Sequence, residues 1–197
     1  MRENVLSLVS GRRGHFRLES GHHGDLWFQL ETLCLNAREI LPFAARLADL
    51  LKKHDVEVVC GPLVEGAFVA LLVSLELDCE FVYAGRFANE NREGLFPVEY
   101  RLPKALQPAV KGKRVAIVND VINAGSAVRG SFSDLQAYGA RVVAIGALLA
   151  LGDAIEEFAT ENDVALELLE RMPNNLWTPL DCPLCASGVP LEIASTS

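Results

Sequence analysis

The sequence lacks any apolar run long enough to cross a bilayer. Its longest runs, Ala67–Leu75 and Val142–Leu151, fall well short of the roughly 20 residues a spanning helix needs. Met1–Gly14 also lacks the apolar core of a secretory signal, because charges and glycines interrupt it. A soluble, cytoplasmic protein without membrane partners is therefore expected. An excess of basic residues is missing too: 18 Lys and Arg stand against 26 Asp and Glu, for a net charge of -8. A sequence-independent nucleic-acid binder needs a basic face, so nucleic acid is not an expected partner. Neither GxxxxGK[ST] nor GxGxxG occurs, which speaks against the standard triphosphate and dinucleotide loops. No repeat, low-complexity tract or linker divides the chain, and 197 residues suit a single domain spanning 1–197.

A paired set of cysteines is absent as well. Cys34, Cys60, Cys79, Cys182 and Cys185 are scattered and odd in number, unlike the disulfide framework of a small secreted domain. Cys182-Pro-Leu-Cys185 has zinc-ligand spacing, but a structural zinc site takes four ligands. No second CxxC and no HxxxH accompanies it, so a packing or turn role is expected. Cys60, ending an apolar run, reads as a small buried hydrophobe. His22 and His23 read as solvated side chains of a surface loop.

What is present is an alternation of elements. Ile40–His54 carries an apolar face at Ile40, Leu41, Ala44, Leu47, Ala48 and Leu51, the mark of a helix. Val56–Cys60 is a β-branched strand running into Gly61-Pro62, and Ala67–Leu77 is an apolar helix buried on most sides. Glu80–Tyr83 reads as a strand. Arg86–Pro103 is a long loop or a hairpin, with a short strand at Val98–Leu102. Val115–Val118 is continuously apolar, as befits a parallel strand covered on both faces. Ser126–Tyr138 is a helix closed by Gly139, Val142–Leu149 a strand, and Asp153–Asn162 a short helix. Residues after Arg171 read as an irregular tail. Strand–helix alternation at these lengths specifies an α/β fold with a parallel sheet flanked by helices.

Ligands of such sheets bind beyond the carboxyl ends of the strands. The strand at Val115–Val118 runs into Asn119-Asp120, then Val121-Ile122, then the small-residue loop Asn123-Ala124-Gly125-Ser126-Ala127. Small side chains let backbone N–H groups converge on an anion, and the next helix adds the positive end of its dipole. Ser126 can donate to a phosphate oxygen. Asp120, with two acceptor oxygens, can hold two ribose hydroxyls.

This combination, Arg114–Arg129 (RVAIVNDVINAGSAVR), resembles the phosphoribosyl diphosphate motif of the type I phosphoribosyltransferase family. Within the family it is most similar to the orotate branch. Ala127-Val128-Arg129 fits that branch's continuation, and Gly14–Phe28 resembles its N-terminal segment. Trp177–Leu191 resembles the Cys-Pro-Leu-Cys ending of one bacterial subgroup. The resemblance implies the family's fold with a small hood built from about residues 1–35 and 172–197. It implies transfer of a phosphoribosyl group to a base, most of all orotate, yielding orotidine 5′-monophosphate and pyrophosphate in pyrimidine biosynthesis. It further implies Mg²⁺ held by Asp120, a homodimer, and Asp120, Arg86 and Arg92 as catalytic groups. Asn119, Asp120 and Asn123–Ala127 would form the ribose 5-phosphate site. Gly61, Pro62, Leu63, Val64, Glu65 and Gly66 would form the pyrophosphate loop. Trp27, Phe28 and Arg129 would lie at the base.

Several positions depart from the family pattern. Asn119 replaces the first acid of the usual pair, and Glu65 and Glu19 stand where lysines are common. The Tyr83–Gly94 segment has Arg86 and Arg92 but no lysine, and Leu149–Asp153 lacks the arginine that meets the orotate carboxylate. Two alternatives therefore stay open: transfer to another base, or a non-catalytic ribose-phosphate or nucleotide regulator that has lost its cationic lid.

Overall fold

A computed structural model describes residues 4–88 and 94–193. Its larger sheet has six strands in the order β5-β4-β3-β6-β7-β8. These are β3 (Val58–Pro62), β4 (Glu80–Ala88), β5 (Val98–Arg101), β6 (Arg114–Ile122), β7 (Arg141–Leu151) and β8 (Ala165–Met172). β3, β4, β6, β7 and β8 are parallel, and β5 closes the edge as the antiparallel partner of β4. Arg86–Ala88 and Val98–Arg101 thus pair as the two arms of a hairpin, one of the two readings expected of this stretch.

β6 explains how the sheet is held. Val115 and Ile117 face one apolar cluster, and Ala116 and Val118 face the other, as the two-residue period of a strand requires. The cluster of Ala116 and Val118 is covered by α1 (Ala37–Leu51) and α2 (Glu65–Leu77). The cluster of Val115 and Ile117 includes Val128, Phe132 and Leu135 of α4 (Ser126–Ala137), Ile155 and Phe158 of α5 (Ala154–Glu161), and Val110 of α3 (Gln107–Val110). α1 starts where the Asn36 side chain accepts from Arg38 N–H, and α4 is followed by Gly139 at φ 78. No helix among the described residues is long and apolar enough to cross a membrane.

Both ends of the chain build the second sheet. β1 (Ser10–Arg17) and β2 (His23–Gln29) form a hairpin, and the tail adds β9 (Leu176–Trp177) beside β2 and β10 (Glu192–Ile193) beside β1. α6 (Pro183–Ala186) lies between those two strands in the chain. Leu26 and Phe28 of β2 join the core cluster over α1, which seats this hood against the larger sheet.

Three expectations are corrected here. The tail after Arg171 is not irregular, since its strands pair with both edges of the hairpin. β8 is a further parallel strand that the sequence pattern did not announce, because its alternate faces mix Glu167 and Glu170 with leucines. His23 is not a solvated loop side chain: it sits in β2 and is buried, and so is His15 in β1.

Candidate active site

β3, β4 and β6 end together, and their loops enclose a cleft of about 480 Å³ under the hood. Its floor is Asn119–Ala127, one wall is Pro62–Gly66, and Leu26, Trp27 and Phe28 of β2 close it from above. A second hollow between α5 and β8 is lined by Glu156, Asp163 and Arg171, away from the carboxyl ends of β3, β4 and β6. The cleft at the strand ends is the site that α/β geometry selects.

Asp120 is the central group. It is almost wholly buried at the end of β6, and burial is the main cause that pushes its carboxyl up to about 7. The N–H groups of Val121 and of Asp120 itself pull the other way, and the nearby charge of Glu65 adds to the rise. A carboxylate so placed strongly favours a partner that donates hydrogen bonds or carries positive charge. Asn119, beside it, donates from Nδ2 to the Val121 carbonyl at 3.0 Å and turns its Oδ1 toward Gly66. A Cβ at Gly66 would overlap that oxygen, so the glycine lets the wall and the floor close on each other. Gly61 serves the packing instead, since its missing side chain admits the backbone of Ala67 and seats α2 on β3.

The small-residue loop turns into α4 through Gly125 at φ 82, a left-handed conformation that glycine adopts without strain. The first turn of a helix has no internal acceptors for its N–H groups, so those of Ser126–Val128 point into the loop. Asn174, leading toward the hood, donates to Asn123 Oδ1 at 3.0 Å, and Asn175 donates to Asp25 of β2 at 3.1 Å. These two asparagines couple the loop to the hood.

Arg86 is the one cation among the described residues lining the cleft. Its Nε donates to Glu19 Oε2 at 2.7 Å, while the Tyr100 hydroxyl donates to Glu19 Oε1 at 2.9 Å. Burial and the Glu19 charge raise the Tyr100 phenol, so it stays a donor. Glu19 thus holds Arg86 at the mouth of the cleft. This triad was not anticipated, since its members lie on β4, β5 and the turn after β1.

The comparisons place the chain in a family. Residues 36–178 match the family model of the phosphoribosyl transferase domain. The chain belongs to the phosphoribosyltransferase family. Among relatives, the orotate phosphoribosyltransferase of Thermotoga maritima is 33% identical over 184 residues, covering 91% of this chain and 88% of that one. The orotate phosphoribosyltransferase structure from Aeropyrum pernix superposes with a TM-score of 0.63 at 20% identity, covering 93% of this chain and 99% of that one. The adenine phosphoribosyl transferase from Trypanosoma brucei, solved with AMP, pyrophosphate and ribose-5-phosphate, gives 0.65 at 14% identity, covering 85% and 77%. The parallel sheet with helices on both faces is the fold of these phosphoribosyltransferases.

Most residues singled out in the sequence meet in the cleft. Asn119, Asp120, Asn123–Ala127, Pro62–Gly66, Trp27, Phe28 and Arg86 all line it. Arg129 has other partners. Its guanidinium donates to the Ala124 and Ala154 carbonyls at 3.4 and 3.0 Å and lies over the rings of Phe158 and Phe96. That arrangement buttresses the Asn123–Ala127 loop from behind. Arg92 lies outside the described residues. Cys60 is fully buried, and burial pushes its thiol up to about 12, which leaves it inert as a nucleophile.

Proposed function

We propose that this phosphoribosyltransferase transfers the phosphoribosyl group of phosphoribosyl diphosphate to orotate. The observation that carries the reading is the buried Asp120 at the head of the Asn123–Ala127 loop, facing the Pro62–Gly66 wall across one cleft. The loop's N–H groups and Ser126 hold the 5′-phosphate, Asp120 accepts from the ribose hydroxyls, and the diphosphate lies along Pro62–Gly66. The reacting carbon then sits beneath Trp27, where a flat ring stacks beside the ribose. As the bond to diphosphate lengthens, positive charge grows on the ribose and negative charge on the leaving group. Asp120 faces the first, and Arg86 is placed to meet anionic charge. Orotate is favoured as acceptor by the relatives' names and because Arg86 offers an anionic base a guanidinium in the cleft.

The cleft's own charges favour a divalent cation as the companion of a diphosphate substrate. Glu19, Glu31, Glu65 and Asp120 line it together with Arg86. Glu65 is close enough for its charge to raise the Asp120 carboxyl, and the two carboxylates are a donor set suited to Mg²⁺, which binds through one or two carboxylates plus phosphate oxygens. They would hold the ion, which supplies neutralisation of the diphosphate. On this reading Glu65 acts through the metal, and its charge is no obstacle.

The protein acts as a homodimer on this reading. Phe68, Leu71 and Leu75 are all exposed and fall on one face of α2 at helical spacing, and the exposed Val64 precedes them in the Pro62–Gly66 wall. A second copy of the chain covers that face. Phe68→Glu is expected to convert a dimer to a monomer in sedimentation; an unchanged dimer contradicts the assignment.

The test of the reaction is turnover with phosphoribosyl diphosphate, Mg²⁺ and a panel of bases. Nucleotide formation from orotate, and not from adenine, hypoxanthine or uracil, is the expected outcome. Turnover of a purine instead would overturn the substrate assignment, and no turnover of any base would overturn the enzyme.

A further inference from the structure

The hood holds a cluster that the transfer reaction does not use. His15 on β1, His23 on β2, and Cys182 and Cys185 at the start of α6 bring four ligand atoms within 4.8 Å of one another. His15 Nε2 lies 3.2 Å from His23 Nδ1 and 3.3 Å from Cys182 Sγ, and Cys185 Sγ lies 3.7 Å from His15 Nε2 and 3.3 Å from His23 Nδ1. A tetrahedron with Zn–N of about 2.0–2.1 Å and Zn–S of about 2.3 Å has edges of about 3.3 Å for N···N and about 3.6 Å for N···S. The four separations scatter around those edges. We infer that His15, His23, Cys182 and Cys185 form a structural zinc site that fastens the C-terminal tail to the N-terminal hairpin.

Three features support a metal over simple packing. His15 Nδ1 donates to the Val189 carbonyl at 2.8 Å, which fixes the tautomer and leaves the Nε2 lone pair aimed into the cluster. A backbone acceptor on the distal nitrogen is the usual outer partner of a metal-bound histidine. His15, His23 and Cys182 are buried, so the donors converge where water is largely excluded, and all the cysteines are free thiols. Two thiolates and two imidazoles select zinc over magnesium or calcium, which prefer oxygen. Four ligands also close the coordination shell, so the site is structural and not catalytic.

The topology explains why such a staple is needed. The tail leaves β9 on one edge of the four-stranded hood sheet and returns as β10 on the other, each pairing through only two residues. Two short edge strands bury little, and small sheets of this kind gain order from metals or disulfides. The cluster pins the crossing segment to the two central strands. The expectation that the Cys182–Cys185 pair lacks further ligands is thereby corrected. Its partners come from a hairpin, eight residues apart in sequence and more than 150 residues upstream, a spacing that no linear zinc motif describes.

The test is elemental analysis of the full chain purified without chelator, with cobalt substitution as the spectroscopic reporter. About one zinc per chain is expected, and Co²⁺ should give the intense visible bands and thiolate charge-transfer absorption of a tetrahedral sulfur-ligated ion. Cys182→Ser with Cys185→Ser should reduce zinc to below about a tenth of an equivalent, while Asp120→Asn should leave it unchanged. Stripping zinc should speed amide exchange across residues 10–29 and 176–193, and restoring it should reverse the effect. A chain that purifies without zinc and fails to take it up at equimolar concentration overturns the site. So does an octahedral cobalt spectrum, or a native Cys182–Cys185 disulfide. If the double variant does not fold, the wild-type metal content and cobalt spectrum still decide.

Discussion

Replacing Asp120 by asparagine should make the empty protein more stable at alkaline pH while crippling ligand binding. The carboxyl titrates near 7 in the fold against 3.8 for an ordinary aspartate, mainly because burial disfavours its charged form. A raised acid of this kind leaves stability intact below pH 3.8. It then removes stability progressively as pH rises toward the folded value near 7. Between about pH 5 and 7 the loss amounts to two pH units at about 1.4 kcal/mol each, or about 3 kcal/mol as an upper bound, and it levels off above. An asparagine carries no charge and escapes that loss. The melting temperature of Asp120→Asn minus that of the wild type should therefore widen by about 6–12 °C between about pH 5 and pH 8.5 for a chain of this size. The same variant gives up two charge-assisted hydrogen bonds to ribose hydroxyls, so affinity for phosphoribosyl diphosphate should fall by about a hundredfold. Calorimetric melts across that pH range and titration calorimetry measure the two effects. Parallel melting curves would refute the buried-charge argument, and unchanged affinity would refute the ribose assignment.

Arg86→Ala should lower kcat/KM for orotate by about a hundredfold, because it removes the cation at the mouth of the cleft. Glu19→Gln should leave that cation unanchored and raise KM more than it lowers kcat; a double-mutant cycle showing no coupling between the two positions would contradict the triad. Gly66→Ala should destabilise the fold by about 1–3 kcal/mol through overlap with Asn119, and Asn119→Ala in the same chain should recover part of the loss in a denaturant titration. Arg129→Ala should raise KM for phosphoribosyl diphosphate and spare that for orotate, since the side chain braces the phosphate loop; the reverse pattern would place it at the base.

The sheet was legible because its central strands are apolar on both faces, as in Val115–Val118, and are punctuated by glycine and by capping residues. The cleft floor was legible for a related reason: Asp120 and Asn123–Ala127 lie close together in the chain, so one line of sequence holds the residues that the fold brings to one side of the cleft. β8 escaped because glutamates on its faces blur the two-residue period. The hood strands escaped in detail because β9 and β10 are two residues each and exist only through pairing with β2 and β1. Glu19, Arg86 and Tyr100 carry no sequence signal as a group, because only the crossing of three segments brings them together. Arg129 shows the opposite hazard: its position beside the motif suggests a ligand contact, and the fold turns it onto carbonyls and aromatic rings.

A single-turnover quench with the chain in excess over phosphoribosyl diphosphate, in the presence of Mg²⁺ and orotate, decides whether the cleft transfers the sugar phosphate or only holds it. Complete conversion to orotidine 5′-monophosphate is expected, with one pyrophosphate released per substrate. Phosphoribosyl diphosphate that is bound yet recovered intact would contradict it, and would leave a protein that holds the sugar phosphate without transferring it.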